Sequence, residues 1–138
     1  MNYKITRVTK HSDKRGYLVE FLKSVELGRK NSQFGQIYFV TFNKKNIVRG
    51  NHFHKHTEEW FGVIHGKLKV VLMDIKTRKK RSFILKEDDN VFVRLSIGTG
   101  IAHAFKSLTG KAVLLDYSNK QYDKKDTDRH FCRLMEGS

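Results

Sequence analysis

Apolar and polar residues alternate with a period of two over much of this chain, and that period predicts strands. Gln36-Ile37-Tyr38-Phe39-Val40-Thr41-Phe42 is rich in β-branched and aromatic residues. Trp60-Phe61-Gly62-Val63-Ile64 predicts a buried strand, ended by Gly66. Leu68, Val70 and Leu72 alternate with Lys69, Val71 and Met73 to give another. Runs over Arg81 to Leu85, Val91 to Ile97, Ala102 to Ser107 and Ala112 to Ser118 complete the series. Short strands divided by Gly, Asn, Asp and Lys clusters predict an all-β sandwich or barrel. The pattern favours a jelly roll without separating it from other barrels. The helical period is weak, and only Ser24 to Asn31 and Lys124 to Met135 predict short helices.

With 138 residues, length predicts one domain over residues 1–138, large enough for a real core. No internal repeat, linker or low-complexity segment interrupts it. No apolar run approaches a membrane span. Met1-Asn2-Tyr3-Lys4-Ile5 lacks the apolar block of a secretory signal. The single cysteine, Cys132, has no partner for an intramolecular disulfide. A cytoplasmic protein without a membrane partner is the expectation.

The net charge of +14 raises the question of nucleic acid. Lys and Arg are spread along the chain, however. The densest run, Lys76-Thr77-Arg78-Lys79-Lys80-Arg81, lies between two apolar runs and predicts a solvated turn. No basic helix or aromatic-studded strand accompanies it, so nucleic acid is not the expected partner. Solubility accounts for most of the excess, and an anionic small molecule such as a nucleotide diphosphate also suits it. The chain has no proline, which leaves turns to Gly and Asn.

Chemistry concentrates in Arg49-Gly50-Asn51-His52-Phe53-His54. Residues two apart on a strand share a face, so His52 and His54 predict half a metal site or a paired acid–base apparatus. Glu59 follows five positions after His54, then Gly66; downstream stands Gly98-Thr99-Gly100-Ile101-Ala102-His103. Three imidazoles and a carboxylate suit Zn, Fe, Mn or Ni, and two imidazoles alone suit proton transfer. Residue type and spacing leave the two open.

These spacings resemble the two motifs of the cupin superfamily, H-x-H-x-x-x-x-E-x-x-x-x-x-x-G and P-x-G-x-x-H. Gly98 departs from the usual proline, and Ser107 stands where asparagine is common. The resemblance implies a jelly-roll barrel, or double-stranded β-helix, with the histidines inside. Asp13-Lys14-Arg15-Gly16-Tyr17-Leu18-Val19-Glu20 resembles the D-x-R-G-x-[FL]-x-E segment of the deoxysugar-nucleotide cupins. That group holds the dTDP-4-dehydrorhamnose 3,5-epimerases and the dTDP-sugar 3,4-ketoisomerases. It implies a homodimer with exchanged N-terminal strands and a thymidine diphosphate bound near Arg15.

The epimerases read R-G-x-H-[FY]-Q, with lysine where Glu59 falls and a catalytic tyrosine where Asp116 falls. The ketoisomerases read R-G-x-H-x-H-K, which Arg49 to Lys55 reproduces, and the spacing from His103 to Tyr122-Asp123 resembles theirs. Ketoisomerase is the nearer match, and 3,5-epimerase the alternative. The cupin domain of certain capsule-sugar reductases, R-G-N-H-Y-H and zinc-binding, is a third relative; Asn51 matches it and keeps a metal or sugar-nucleotide-binding module in view.

The resemblance to ketoisomerases implies an enzyme moving the ketone of dTDP-4-keto-6-deoxyglucose from C4 to C3, toward 3-amino sugars of surface glycans, without a cofactor. His52 and His54 are the expected proton carriers. Arg49 would stabilise the enediolate, and Tyr38 would hydrogen-bond the sugar or relay a proton. Arg15, Glu59, His103 and Tyr122 are the expected substrate-binding residues. Each has a plainer alternative: Glu59 orienting an imidazole, His103 structural, Arg15 paired with a carboxylate such as Glu20, Tyr38 a strand aromatic. His11, His56, His65 and His130 are expected at the surface, and Trp60 in the core.

Overall fold

The structure, a computed structural model, describes residues 1–28, 33–88 and 90–137. Its elements are β1 (Tyr3–Thr9), β2 (His11–Asp13), β3 (Gly16–Leu18), α1 (Ser24–Leu27), β4 (Gln36–Phe42), β5 (Val48–Phe53) and β6 (Glu59–His65). There follow β7 (Lys67–Asp74), β8 (Lys80–Lys86), β9 (Val91–Ile97), β10 (Ile101–Ser107), β11 (Ala112–Ser118) and β12 (His130–Phe131). The strands form two antiparallel five-stranded sheets, ordered β1-β9-β6-β11-β4 and β12-β5-β10-β7-β8, plus the β2-β3 hairpin. This is the jelly-roll architecture expected of a cupin.

The core lies between the sheets. From β6, β9 and β11 come Phe61, Val63, Leu95, Ile97 and Leu114; from β7, β8 and β10 come Leu68, Val70, Leu72, Leu85 and Phe105. Alternation sends their neighbours outward, as the period-two pattern requires. The outward face of β6 and β9 is also covered, because residues 20–28 lie across it. Arg94, buried on that face, donates to the Phe21 carbonyl at 2.7 Å and pairs with Glu26 at 2.6 Å. Phe21 meets Phe92 edge-on above Gly62. A Cβ at Gly62 would sit 2.3 Å from the Phe92 ring.

The seven strands named from the pattern are present, with bounds within one residue. The basic run spans the exposed β7–β8 connection and the first two residues of β8, and the Asp74 carboxylate accepts from the Lys76 and Thr77 amides. The expected helices are corrected. Ser24–Leu27 makes one turn, and Gly28 follows at φ 74°; residues 29–32 of that expected helix lie outside the described ones. Residues 124–135 are not helical: they hold turns and the short β12. Asp and Thr side chains there bond nearby amides, such as Asp123 accepting from Lys125, and those bonds compete with a helix. β1 pairs with β9 of its own chain over seven residues, from Tyr3↔Ile97 to Thr9↔Val91.

Candidate functional site

The site is assembled by an irregularity in β5. His52 pairs with His103 of β10, but Gly50 pairs with Ala104 and Arg49 with Phe105. One residue, Asn51, is therefore extra on the β5 side, which is a β-bulge. Gly50 has φ 98° and Asn51 φ 58°, the left-handed region that Gly and Asn tolerate best. A Cβ on Gly50 would fall 2.6 Å from the His103 carbonyl oxygen, so the approach of β5 to β10 requires glycine. The bulge lets Arg49 and His52, three apart, both line the interior. Asn51 points the other way. Its amide donates to the Met135 carbonyl (3.0 Å) and accepts from the Leu134 and Met135 amides (2.8 and 3.1 Å), tying the C-terminal segment to β5.

His52, His54 and His103 converge. Their ring centroids are 4.8 to 5.5 Å apart. Each Nδ1 faces a backbone carbonyl: Gly50 for His52 (3.2 Å), Asp128 for His54 (2.7 Å), Ile101 for His103 (3.0 Å). Each therefore carries its proton on Nδ1 and turns Nε2 inward. Glu59, buried at the start of β6, lies 2.7 Å from His54 Nε2 and 3.5 Å from His103 Nε2. Its other oxygen accepts from the Tyr38 hydroxyl at 2.9 Å.

The 2.7 Å contact fixes the charge of His54. With Nδ1–H donated to Asp128, Nε2 and a carboxylate oxygen meet at that distance only across a proton or a cation. Burial depresses the His54 pKa, but the hydrogen bond and charge of Glu59 outweigh it and the net shift is upward. Without a cation, His54 is the imidazolium partner of Glu59. Burial works against ionised Glu59 as well, yet hydrogen bonds from Asp116, His103 and His54 hold it well below the usual range. His52 goes the other way. Burial, then the neighbouring His103 and His54, lower it to about 4, so it is a neutral imidazole at pH 7. Burial and the Glu59 charge raise the Tyr38 hydroxyl and keep it protonated.

Asp116 completes the set. It pairs in register with Tyr38 and is 1 % exposed, and neither carboxylate oxygen accepts a hydrogen bond from a donor among the described residues. Burial first, then the negative charge of Glu59, push its pKa well above the ordinary range. Both causes favour its neutral, protonated form beside the Glu59 carboxylate. The inward face of β11 thus offers a carboxylic acid, and the phenol comes from Tyr38 on β4.

Two cavities meet at these residues. The inner one, about 380 Å³, is lined by Arg49, His52, Glu59, His103, Asp116 and Arg129, among others. The outer one, about 250 Å³, is lined by His54, Lys120, Tyr122 and Asp128. Tyr38, His52, Glu59 and Arg129 belong to both. Arg49 sits at the inner cavity's edge, its Nε donating to the Thr41 carbonyl. Tyr122 is half-exposed, with the Arg129 guanidinium 5.1 Å over its ring.

Of the eight residues expected from sequence, seven line these cavities. Arg15 does not. Its side chain is 90 % exposed on the β2–β3 hairpin and pairs with Asp13 at 2.6 Å, not with Glu20. His54 also departs from the expectation of a free proton carrier, because both ring nitrogens are occupied. Asp128 and Arg129 went unnoticed in the sequence, since nothing local marks Asp128 as the partner of His54, 74 positions away, or Arg129 beside it as a wall of the cavity. Asp116 stood out only as a missing tyrosine.

The donor set also fits a divalent cation. One ligand atom from each of His52, His54, Glu59 and His103 lies within 4.8 Å of the others. Carbonyls holding the three Nδ1 protons are the outer support that metal-binding imidazoles use.

The chain matches the family described as polysaccharide biosynthesis C-terminal domain over residues 11–130, and it belongs to that family. It is 27% identical over 132 residues to the UDP-2-acetamido-2,6-beta-L-arabino-hexul-4-ose reductase of Pseudomonas aeruginosa. That match covers 95% of this chain and 33% of the reductase, so the chain spans about a third of its curated relative. Among solved structures it is similar to a 3,4-ketoisomerase from Helicobacter canadensis, with 26% identity, a TM-score of 0.77 and coverage of 94% and 90% of the two chains. It is also similar to the QdtA 3,4-ketoisomerase from Thermoanaerobacterium thermosaccharolyticum, a double mutant in complex with TDP. Identity is 25%, the TM-score 0.77, and coverage 93% and 86%. No helix among the described residues is long and apolar enough to cross a membrane.

Proposed function

We propose that residues 1–138 form one cupin domain that isomerises a nucleotide-linked 4-keto-6-deoxyhexose. The ketone moves from C4 to C3 through an enediolate, with thymidine diphosphate as carrier. The observation that carries this reading is the His52 ring, held by the Gly50 carbonyl with Nε2 open to the cavity, 4.9 Å from the His54 ring that Glu59 meets at 2.7 Å. His52 turns a neutral Nε2 into the cavity beside the buried 2.7 Å contact of His54 with Glu59, where the carboxylate favours the charged imidazole. Similarity to two 3,4-ketoisomerases along nearly their full length supports it.

In this scheme His52 takes the C3 proton, which the adjacent carbonyl acidifies. The enediolate forms against the charge of Arg49, Arg129 and the His54 imidazolium. The hydroxyl proton passes from O3 to O4, with Tyr38 as relay. His52 returns the carbon proton to C4. One C–H bond breaks, one forms, and no external oxidant is needed. His54 holds charge in place instead of shuttling a proton. His103 and Glu59 shape the inner wall, and Tyr122 with Arg129 lies where the nucleotide would leave the barrel. Such a product is the precursor class for 3-amino sugars of surface glycans, and a cytoplasmic enzyme is part of this reading.

We also propose a homodimer. The outward face of edge strand β4 exposes Ile37 and Phe39 by more than 60 %, an apolar strip beside an unpaired edge.

The test is NMR of purified protein given TDP-4-keto-6-deoxyglucose in D2O, with the UDP-linked sugar in parallel. A C3 ketone is expected, with deuterium at C4 in the fraction of turnovers in which His52 exchanges its proton with solvent before returning it. Deuterium at both C3 and C5 under an unmoved C4 ketone would establish 3,5-epimerisation instead, and no change with either sugar would sink the isomerase reading.

A second reading rests on the convergent Nε2 atoms and Glu59. His52, His54, Glu59 and His103 would hold one divalent cation. When bound, it would polarise a sugar carbonyl as a Lewis acid. Elemental analysis of protein purified without added metal, before and after chelation, separates the two readings.

A further inference from the structure

We propose that Asp128 is the positioning residue of this site: its carboxylate fixes the turn after His54, its carbonyl fixes the His54 ring, and the C-terminal segment is thereby a working wall of the cavity. The carboxylate takes the turn's donors in sequence. Oδ1 accepts from the Lys55 amide (2.8 Å), and Oδ2 accepts from the His56 amide (2.8 Å) and the Thr57 hydroxyl (3.0 Å). The same residue's carbonyl accepts from His54 Nδ1 at 2.7 Å. Its side chain is 9 % exposed, and its φ of 50° aims carboxylate and carbonyl at one short loop.

One residue therefore holds both the ring and the loop that carries it. Without the carboxylate, two amides of the turn lose their acceptor, and the Asp128 carbonyl is held against Nδ1 only through the β12 pairing that begins two residues later. The His54 ring is then free to rotate about its χ angles, and its contact with Glu59 is no longer enforced. Arg129, the next residue, would leave the wall shared by the two cavities. Asn51 clamps the segment independently at Leu134 and Met135, so loss of Asp128 loosens one end while the other stays tied.

The kinetic part of this inference rests on the isomerase reading; the structural part does not, since an oriented His54 serves a proton-transfer site and a cation site alike. The experiment compares Asp128→Ala, Asp128→Asn and Thr57→Val with the parent protein. Long-range 15N–1H spectra at fixed pH give the protonation of each His54 nitrogen. The parent should show a slowly exchanging Nδ1 proton; Asp128→Ala should lose it, and Asp128→Asn, which keeps one acceptor oxygen and tolerates the backbone, should retain it in part. Turnover of TDP-4-keto-6-deoxyglucose should fall about 100-fold in Asp128→Ala with KM within about threefold, the signature of a misplaced group instead of lost binding. Asp128→Asn should recover about a tenth of the parent rate or more. If Asp128→Ala does not fold, Asp128→Asn and Thr57→Val decide by the same spectra, where weakened Nδ1 protection is expected. An unchanged His54 signal in the folded variants overturns the inference, whatever the rate does. A parent protein without isomerase activity overturns the isomerase reading and leaves the spectra to decide on Asp128.

Discussion

Replacing Glu59 by glutamine changes one atom and removes the negative charge at the centre of the cavity. Glu59 answers the His54 imidazolium at 2.7 Å, accepts from Tyr38 at 2.9 Å and faces a neutral Asp116. Breaking a buried ion pair from one side costs about 3–5 kcal/mol, because the remaining charge is left without a partner. Relief is available here. With Glu59 neutral, His54 can shed its proton, and Asp116 loses the like charge that opposes its ionisation, so about 3 kcal/mol is the expected loss. The 138 residues carry roughly 2.1 cal/mol/K each of unfolding entropy, about 0.29 kcal/mol/K in all. The melting temperature should therefore drop by about 10 °C. Asp116→Asn is the informative partner. A neutral acid replaced by a neutral amide of the same shape should cost about 1 kcal/mol, or about 3 °C. Scanning calorimetry at pH 7 with chelator present measures both. If Asp116→Asn costs as much as Glu59→Gln, the charge resides on Asp116 and the assignment of the pair is wrong.

Two further outcomes follow from the same geometry. His52 stays neutral down to about pH 4 against an ordinary value of 6.5, so the unfolded chain binds more protons between those values and stability falls as pH drops through that window. Partial exposure limits the loss to about 1–2 kcal/mol. His54, shifted upward, works oppositely and gives up its contribution as pH rises past its folded value. Denaturant titrations of the parent and His52→Asn from pH 4 to 7 should differ in slope, and parallel curves would contradict the assignment. Gly50→Ala forces a Cβ to within 2.6 Å of a backbone oxygen at φ 98°; roughly 2–3 kcal/mol and loss of turnover are expected from strain and backbone displacement, and a fully active, equally stable variant would remove the bulge from the account.

The strands were legible because their alternation faces one core, and the histidines because cupin spacing is tight. What lay hidden has physical reasons. β1 alternates with Lys, Thr and Arg at the sheet's edge, where half-burial suffices and the apolar signal is thin. The bulge leaves no trace in hydrophobic pattern, since Gly50 and Asn51 equally suggest a turn. Residues 124–135 carry helix-compatible composition, but the Asp128 carbonyl goes to His54 and the Leu134 amide to Asn51, so those backbone groups are engaged elsewhere. Long-range partners of this kind are set by tertiary packing and cannot be read from neighbours in sequence. The charge of each buried group was equally out of reach, because Asp116 and Glu59 differ only in what surrounds them.

Asn51 is supernumerary to the barrel. A chain lacking it would return β5 to plain alternation, with Arg49 and His52 two apart and still facing inward, and Gly50 would no longer need its unusual backbone. The inward-facing pair does not depend on the additional residue; the C-terminal segment gains from it one of its two anchors. One additional residue in β5 in this way holds the far end of a segment whose near end is held by Asp128 and by the pairing of β12 with β5. Deleting Asn51 is the perturbation that separates barrel from annex, removing the tether while leaving the inward-facing side chains in frame.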